Sequence, residues 1–151
     1  MSKSNAKPEM RFARIAPPVL ILAHLLKRSG DAVYETELGL SSIGWRIIAR
    51  LGDQGPMTHT ELVELAQFDK GQLSRSVAEL VELGLISRKP RDWRTIELRL
   101  ASKGRKVFAA LDKISLARHE ALREGIDDLE LRQFMTTLEK VMGNARQMLV
   151  K

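Results

Sequence analysis

A mainly α-helical chain with a minor β component is the fold class the sequence predicts, on two observations. Only 7 of its 151 residues are aromatic, so the core has to be built from Leu, Ile, Val and Ala, which favours helices. Apolar residues recur at helical spacing through most of the chain, and strict alternation is confined to residues 86–100. There is no cysteine, which removes disulfide staples, thiolate nucleophiles and cysteine-ligated zinc together. A length near 150 suggests one domain, or one domain with appended helices. The 44% hydrophobic and 29% charged content matches an ordinary globular chain rather than a disordered one.

Residues 1–14 mix Lys, Arg, Ser, Asn and Pro without apolar period and are expected to form a flexible basic arm. Pro17-Pro18 opens a first helix, expected to run from about Pro18 to Ser29 and to stop at Gly30. Ser41 or Ser42 caps a second, whose Ile43, Ile47, Ile48 and Leu51 share one face and which ends between Gly52 and Gly55, before Pro56. Thr58 and Glu61 have the spacing of a capping box in front of a short third helix carrying Leu62, Leu65 and Ala66. Asp69 caps a fourth, with Leu73, Val77, Leu80 and Val81 as its apolar stripe and Gly84 as its stop; Gln67 and Phe68 join the two. Ile86 to Pro90 is expected as a strand. In a second strand Ile96, Leu98 and Leu100 alternate with Thr95, Glu97 and Arg99, which makes a hairpin with Arg91 to Arg94 at its tip. Ser102 caps a long helix over about Lys103 to Glu124. Asp127 or Asp128 caps a last one to about Leu149, with Leu131, Phe134, Leu138, Val141, Met142, Ala145 and Leu149 on one face.

This order is that of a winged helix-turn-helix domain, assigned to residues 38–106, flanked by dimerisation helices over 15–37 and 107–151. A second chain is the expected partner because Val19, Leu20, Ile21, Leu22, Leu25 and Leu26 are apolar around most of the first helix.

The fourth helix has the layout of a major-groove reader. At about 100° per residue, Arg75 falls opposite the Leu73/Val77 stripe, flanked by Gly71 and Gln72. Gly71 permits close approach to the groove, Gln72 suits adenine, Arg75 suits guanine, and Ser74 a phosphate or base edge; Lys70 suits phosphate. From Lys70 to Lys106, ten basic and four acidic residues leave +6, the net charge of the whole chain. That concentration favours a polyanion over an ordinary solvated face. At the hairpin tip Arg88, Lys89, Arg91 and Arg94 suit phosphates and a narrow minor groove. Asp92 is expected to hold the Arg94 side chain by a charge-assisted bond, to bond its own turn backbone, or to do both. Trp93 can pack on the domain, stack on a sugar or broaden the loop.

Four stretches together resemble the MarR family of winged helix-turn-helix regulators: 38–51, 55–62, 69–88 and Asp92-Trp-Arg94 with 98–105. The resemblance implies a homodimer that binds a pseudo-palindromic operator in double-stranded DNA and represses. It also implies relief by a small aromatic or anionic effector held near His24, Trp45 and Arg46, and minor-groove contact through Asp92 and Arg94. Trp93 departs from the small or basic residue usual between those two.

No enzyme activity, cofactor or metal is expected. Three histidines are scattered, and no nucleophile, base and orienting group stand together. The longest apolar run, Val19 to Leu26, is far short of the ~20 residues of a membrane span. Lys27-Arg28 stands where an export signal would need its cleavage site, so a cytoplasmic protein is expected. The competing reading is a winged-helix protein-interaction module without sequence-specific DNA binding.

Overall fold

The computed structural model describes residues 14–66 and 69–149. Apart from Arg14 the expected basic arm lies outside the described residues, as does the junction at Gln67 and Phe68. The elements are α1 (Ala16–Leu38), α2 (Ser42–Gln54), β1 (Met57–Thr58), α3 (His59–Ala66), α4 (Lys70–Glu82), β2 (Ile86–Pro90), β3 (Ile96–Leu100), α5 (Ser102–Leu122) and α6 (Asp128–Met148). The strands form one antiparallel sheet in the order β1-β3-β2. The fold is that of a winged helix, mostly helical with a small three-stranded sheet. The chain divides into two compact units after Leu111, within α5. Among the described residues no helix is long and apolar enough to cross a membrane.

The first helix corrects the expectation. It does not stop at Gly30 but continues to Leu38, and Gly39 ends it with a left-handed backbone, φ 63°, where a side chain would be strained. A glycine inside a helix costs only about 1 kcal/mol relative to alanine, and here tertiary contacts exceed that. Tyr34 is buried, its ring centroid 4.5 Å from that of Trp45 in α2, and Asp31 accepts a 3.0 Å hydrogen bond from the Trp45 indole.

The caps follow the sequence reading. Ser41 accepts from the Gly44 amide at the start of α2. In α3 the box is reciprocal: the Glu61 amide donates to Thr58 Oγ1 at 3.1 Å, and the Thr58 amide donates to Glu61 Oε2 at 2.6 Å. Asp69 accepts from the Gln72 amide at 3.0 Å and so fixes the start of α4. Asp69→Ala leaves that amide without a partner, and the expected loss is about 1 kcal/mol of stability, measurable by denaturant unfolding. Asp127 and Glu130 form a second capping box, on α6.

Ile47, Ile48 and Leu51 of α2, Leu62 of α3, and Leu73, Val77 and Leu80 of α4 meet Leu85, Ile86 and Leu98 in one buried core. Each such side chain contributes about 1.5–3 kcal/mol by leaving water. The hairpin departs from the simple alternation expected of it. Ile96 is 57% exposed while Glu97 is only 4% exposed. Glu97 pairs with Thr58 of β1, a two-residue strand the sequence reading missed, and its carboxylate accepts from Arg91 and Arg99, which enclose it.

Candidate nucleic-acid interface

The outer face of α4 has the polarity its spacing predicts. Leu73, Ser76, Val77 and Leu80 are buried, while Lys70, Gly71, Gln72, Ser74 and Arg75 are exposed. The helix is thus anchored along one stripe and offers its short polar and cationic side chains outward. His59, at the start of α3, places Nε2 3.0 Å from Ser74 Oγ. His59 and Arg88 line one cleft of about 240 Å³ with Val77, Ile96 and Leu98, so the surfaces of α3, α4 and β2 adjoin there. A solitary histidine carries no spacing signal, so the sequence does not single out His59.

Between β2 and β3 the chain turns through residues 91–95, closed by the Arg91 amide donating to the Thr95 carbonyl at 2.8 Å. Of the two uses expected for Asp92, the turn prevails. Its Oδ1 accepts from the amides of Arg94 and Thr95, both at 2.8 Å, and these bonds, that from Arg94 first, hold its carboxyl below the usual carboxylate range. Asp92 therefore shapes the backbone and does not grip the Arg94 side chain. The Arg94 guanidinium instead lies 3.9 Å from the centroid of the Trp93 ring, a cation–π contact. Trp93 is 82% exposed; it has not packed back on the domain.

Arg91 differs from its neighbours. Its Nη1 and Nη2 donate to the two carboxylate oxygens of Glu61 at 3.0 and 3.1 Å, and its Nε to Glu97 Oε2 at 3.1 Å. The other Glu97 oxygen, Oε1, accepts from Arg99. The bonds from Arg91 and then from Thr58 hold the Glu61 carboxyl down to about 2 from an ordinary 4.5. A depressed carboxylate stabilises the fold above its unfolded value. This contribution is accordingly complete above about pH 4.5 and is lost as the pH falls through about 2. A carbon-detected NMR titration of the Glu61 carboxyl checks it: a midpoint near 4.5 would contradict the pairing.

Among the described residues Lys70, Arg75, Arg88, Lys89 and Arg94 have no carboxylate partner. Cationic charge is thus free on α4, β2 and the wing turn, and neutralised at the wing's base.

The residues expected around an effector are less closely gathered. The Trp45 indole is engaged by Tyr34 and Asp31. Arg46 is half-buried, and burial lowers its pKa. His24 is exposed on α1 and makes no hydrogen bond or ring contact among the described residues. A cleft of about 430 Å³ opens elsewhere, between Leu51, Gly52 and Pro56 on one side and Arg99, Leu100, Arg105 and Phe108 on the other. Among the described residues no group of three or more His, Asp or Glu side chains could hold a metal ion.

A capped helix anchored by one apolar stripe, preceded by a short helix and followed by a cationic hairpin, defines a winged helix-turn-helix protein. The likeness to the MarR family is borne out: residues 38–92 match the model of that family. A MarR family transcriptional regulator from Silicibacter pomeroyi DSS superposes with a TM-score of 0.81 at 21% identity, covering 96% of this chain and 98% of that one. A second MarR-family structure from Silicibacter pomeroyi is 28% identical, with a TM-score of 0.75 and coverage of 86% and 89%. A putative MarR family regulator from Listeria monocytogenes, complexed with 26mer DNA, has a TM-score of 0.78 at 19% identity, over 87% and 89% of the two chains. A comparison with curated proteins finds no match.

Proposed function

We propose that this chain is a cytoplasmic, sequence-specific DNA-binding transcriptional regulator, not an enzyme, that acts as a homodimer on a pseudo-palindromic operator and represses until a small aromatic or anionic effector binds. The observation that carries the reading is the set of exposed cations that, among the described residues, have no carboxylate partner on α4, β2 and the wing turn, beside an anchored helix that exposes Gln72, Ser74 and Arg75. Gln72 and Arg75 read base edges, with Ser74 on a base edge or phosphate. Gly71 permits close approach, Lys70, Arg88 and Lys89 hold phosphates, and Arg94, in the turn shaped by Asp92, enters a minor groove. The DNA bound by the Listeria relative supports the same use of the fold.

A salt titration against duplex DNA tests the reading. Several neutralised phosphates give a log–log slope of about −0.9 per phosphate. A partner bound with no salt dependence, and no duplex binding, would assign the domain to protein interaction instead. Arg94→Ala is expected to weaken binding chiefly where the minor groove is A·T-rich and narrow, which a panel of duplexes differing only in that flank measures. Equal loss on every flank would place Arg94 on the phosphates.

The dimer is supported by α1, where Leu20, Ile21 and Leu25 are 67%, 61% and 56% exposed, an apolar surface that a second chain would bury. Sedimentation at micromolar concentration distinguishes a dimer from a monomer. The effector reading rests on the family resemblance, with Trp45 and Arg46 as its candidate contacts. Quenching of Trp45 fluorescence by an aromatic carboxylate, absent in Arg46→Ala, is the expected sign.

A further inference from the structure

The sequence groups Arg91 with the phosphate contacts, yet three of its five N–H donors are committed within the protein. Glu61 takes two of them in a fork and Glu97 the third. The three residues come from different places. Glu61 belongs to the first turn of α3, Arg91 follows β2 at the start of the wing turn, and Glu97 sits on β3 with only 4% exposure. Glu61 is itself immobilised, because its Oε2 also accepts from the Thr58 amide that opens α3. The guanidinium therefore ties the wing to the helix-turn-helix. Two carboxylates face two guanidiniums there, Arg91 and Arg99, and leave no net charge to displace counterions from DNA.

Resting on the DNA-binding reading, we propose that Arg91, clamped by Glu61 and Glu97, is a positioning residue that sets the wing against α3, and that DNA affinity depends on the acidic Glu61 through it. A planar fork suits this task because a bidentate pair restricts direction as well as distance. Simple electrostatics makes the opposite forecast for Glu61, since removing a negative charge near a polyanion should tighten binding.

The test uses the full chain and four variants: Glu61→Gln, Arg91→Ala, Arg91→Lys and the double variant Glu61→Gln/Arg91→Ala. Glutamine keeps the acceptor that a capping box needs, so Glu61→Gln removes the ion pair and spares the start of α3. Glu61→Gln and Arg91→Ala are each expected to weaken binding to a specific duplex about five- to tenfold, and the double variant about as much as either alone, as for two residues acting in one contact. The salt slope stays at the wild-type value in Arg91→Ala, whereas a lost phosphate contact lowers it by about one. Arg91→Lys keeps the charge but not the fork, and is expected to bind as weakly as Arg91→Ala.

Tighter binding by Glu61→Gln, a salt slope reduced in Arg91→Ala, or rescue by Arg91→Lys overturns the proposal and returns Arg91 to the phosphates. Should the wild-type chain bind no duplex, the DNA reading fails, and the clamp is judged on its own by the indole NMR signal of Trp93, two residues from Arg91. Faster motion of that indole in Glu61→Gln than in wild type supports the clamp. Unchanged motion overturns it.

Discussion

Gly104→Ala is expected to lower the melting temperature by about 6–12 °C, the equivalent of about 3 kcal/mol for a chain of this size. Helix propensity alone points the other way, since alanine is favoured over glycine inside a helix by about 1 kcal/mol. The sign of the effect is therefore diagnostic. Gly104 lies in the first turn of α5, and a Cβ there would stand 1.9 Å from the Leu85 carbonyl oxygen and 2.9 Å from its carbon. Those are backbone atoms and cannot rotate aside. The same oxygen accepts the Ala101 amide at 2.9 Å, so a methyl group has to lift α5 off the junction between α4 and β2 and break that bond. Differential scanning calorimetry checks the result. A rise, or a fall of less than about 2 °C, would show that the close approach is absent.

Arg75→Ala is expected to weaken binding to the cognate operator by about 1–3 kcal/mol, roughly five- to 150-fold, and to relax preference at one base pair. Arg75 lies on the exposed side of α4, opposite buried Leu73 and Val77, and has no carboxylate partner among the described residues. Its guanidinium is thus available for a bidentate contact with guanine. Arg75→Lys should recover little, because a single ammonium does not reproduce the fork. Anisotropy titrations against duplexes substituted one position at a time measure both effects. An equal loss on every duplex would mean that Arg75 meets phosphate and reads nothing.

Much of this candidate site is legible in the sequence because its signals are local. Asp69 as the cap of α4, the Thr58/Glu61 box and the division of α4 into an inner and an outer face each depend on residues within two turns of one another. The errors arose where partners are distant in sequence. Gly30 reads as a stop in the sequence, because the partner that carries α1 past it, Trp45 against Tyr34 and Asp31, belongs to another helix. Alternation puts Glu97 on the solvent side, but Arg91 and a two-residue β1 with no period to detect stand beside it in the fold. Asp92 was given two uses, and backbone bonds 2.8 Å long decided for the turn.

The order of residues by itself determined where helices begin, which stripe of α4 is apolar, where positive charge is concentrated and that a hairpin follows the fourth helix. Apolar periodicity, the residue types that cap helices and the charge pattern are properties of short segments, written in the residue order before any tertiary contact forms. Only the tertiary structure decided which cations remain available and which are taken. Arg88, Lys89, Arg91 and Arg94 are of one kind in the sequence, yet among the described residues Arg91 alone of the four meets carboxylates, one of them thirty residues away on α3. Ion pairing falls off with distance in space rather than along the chain, so the fold had to bring Glu61 to the wing before that difference could exist.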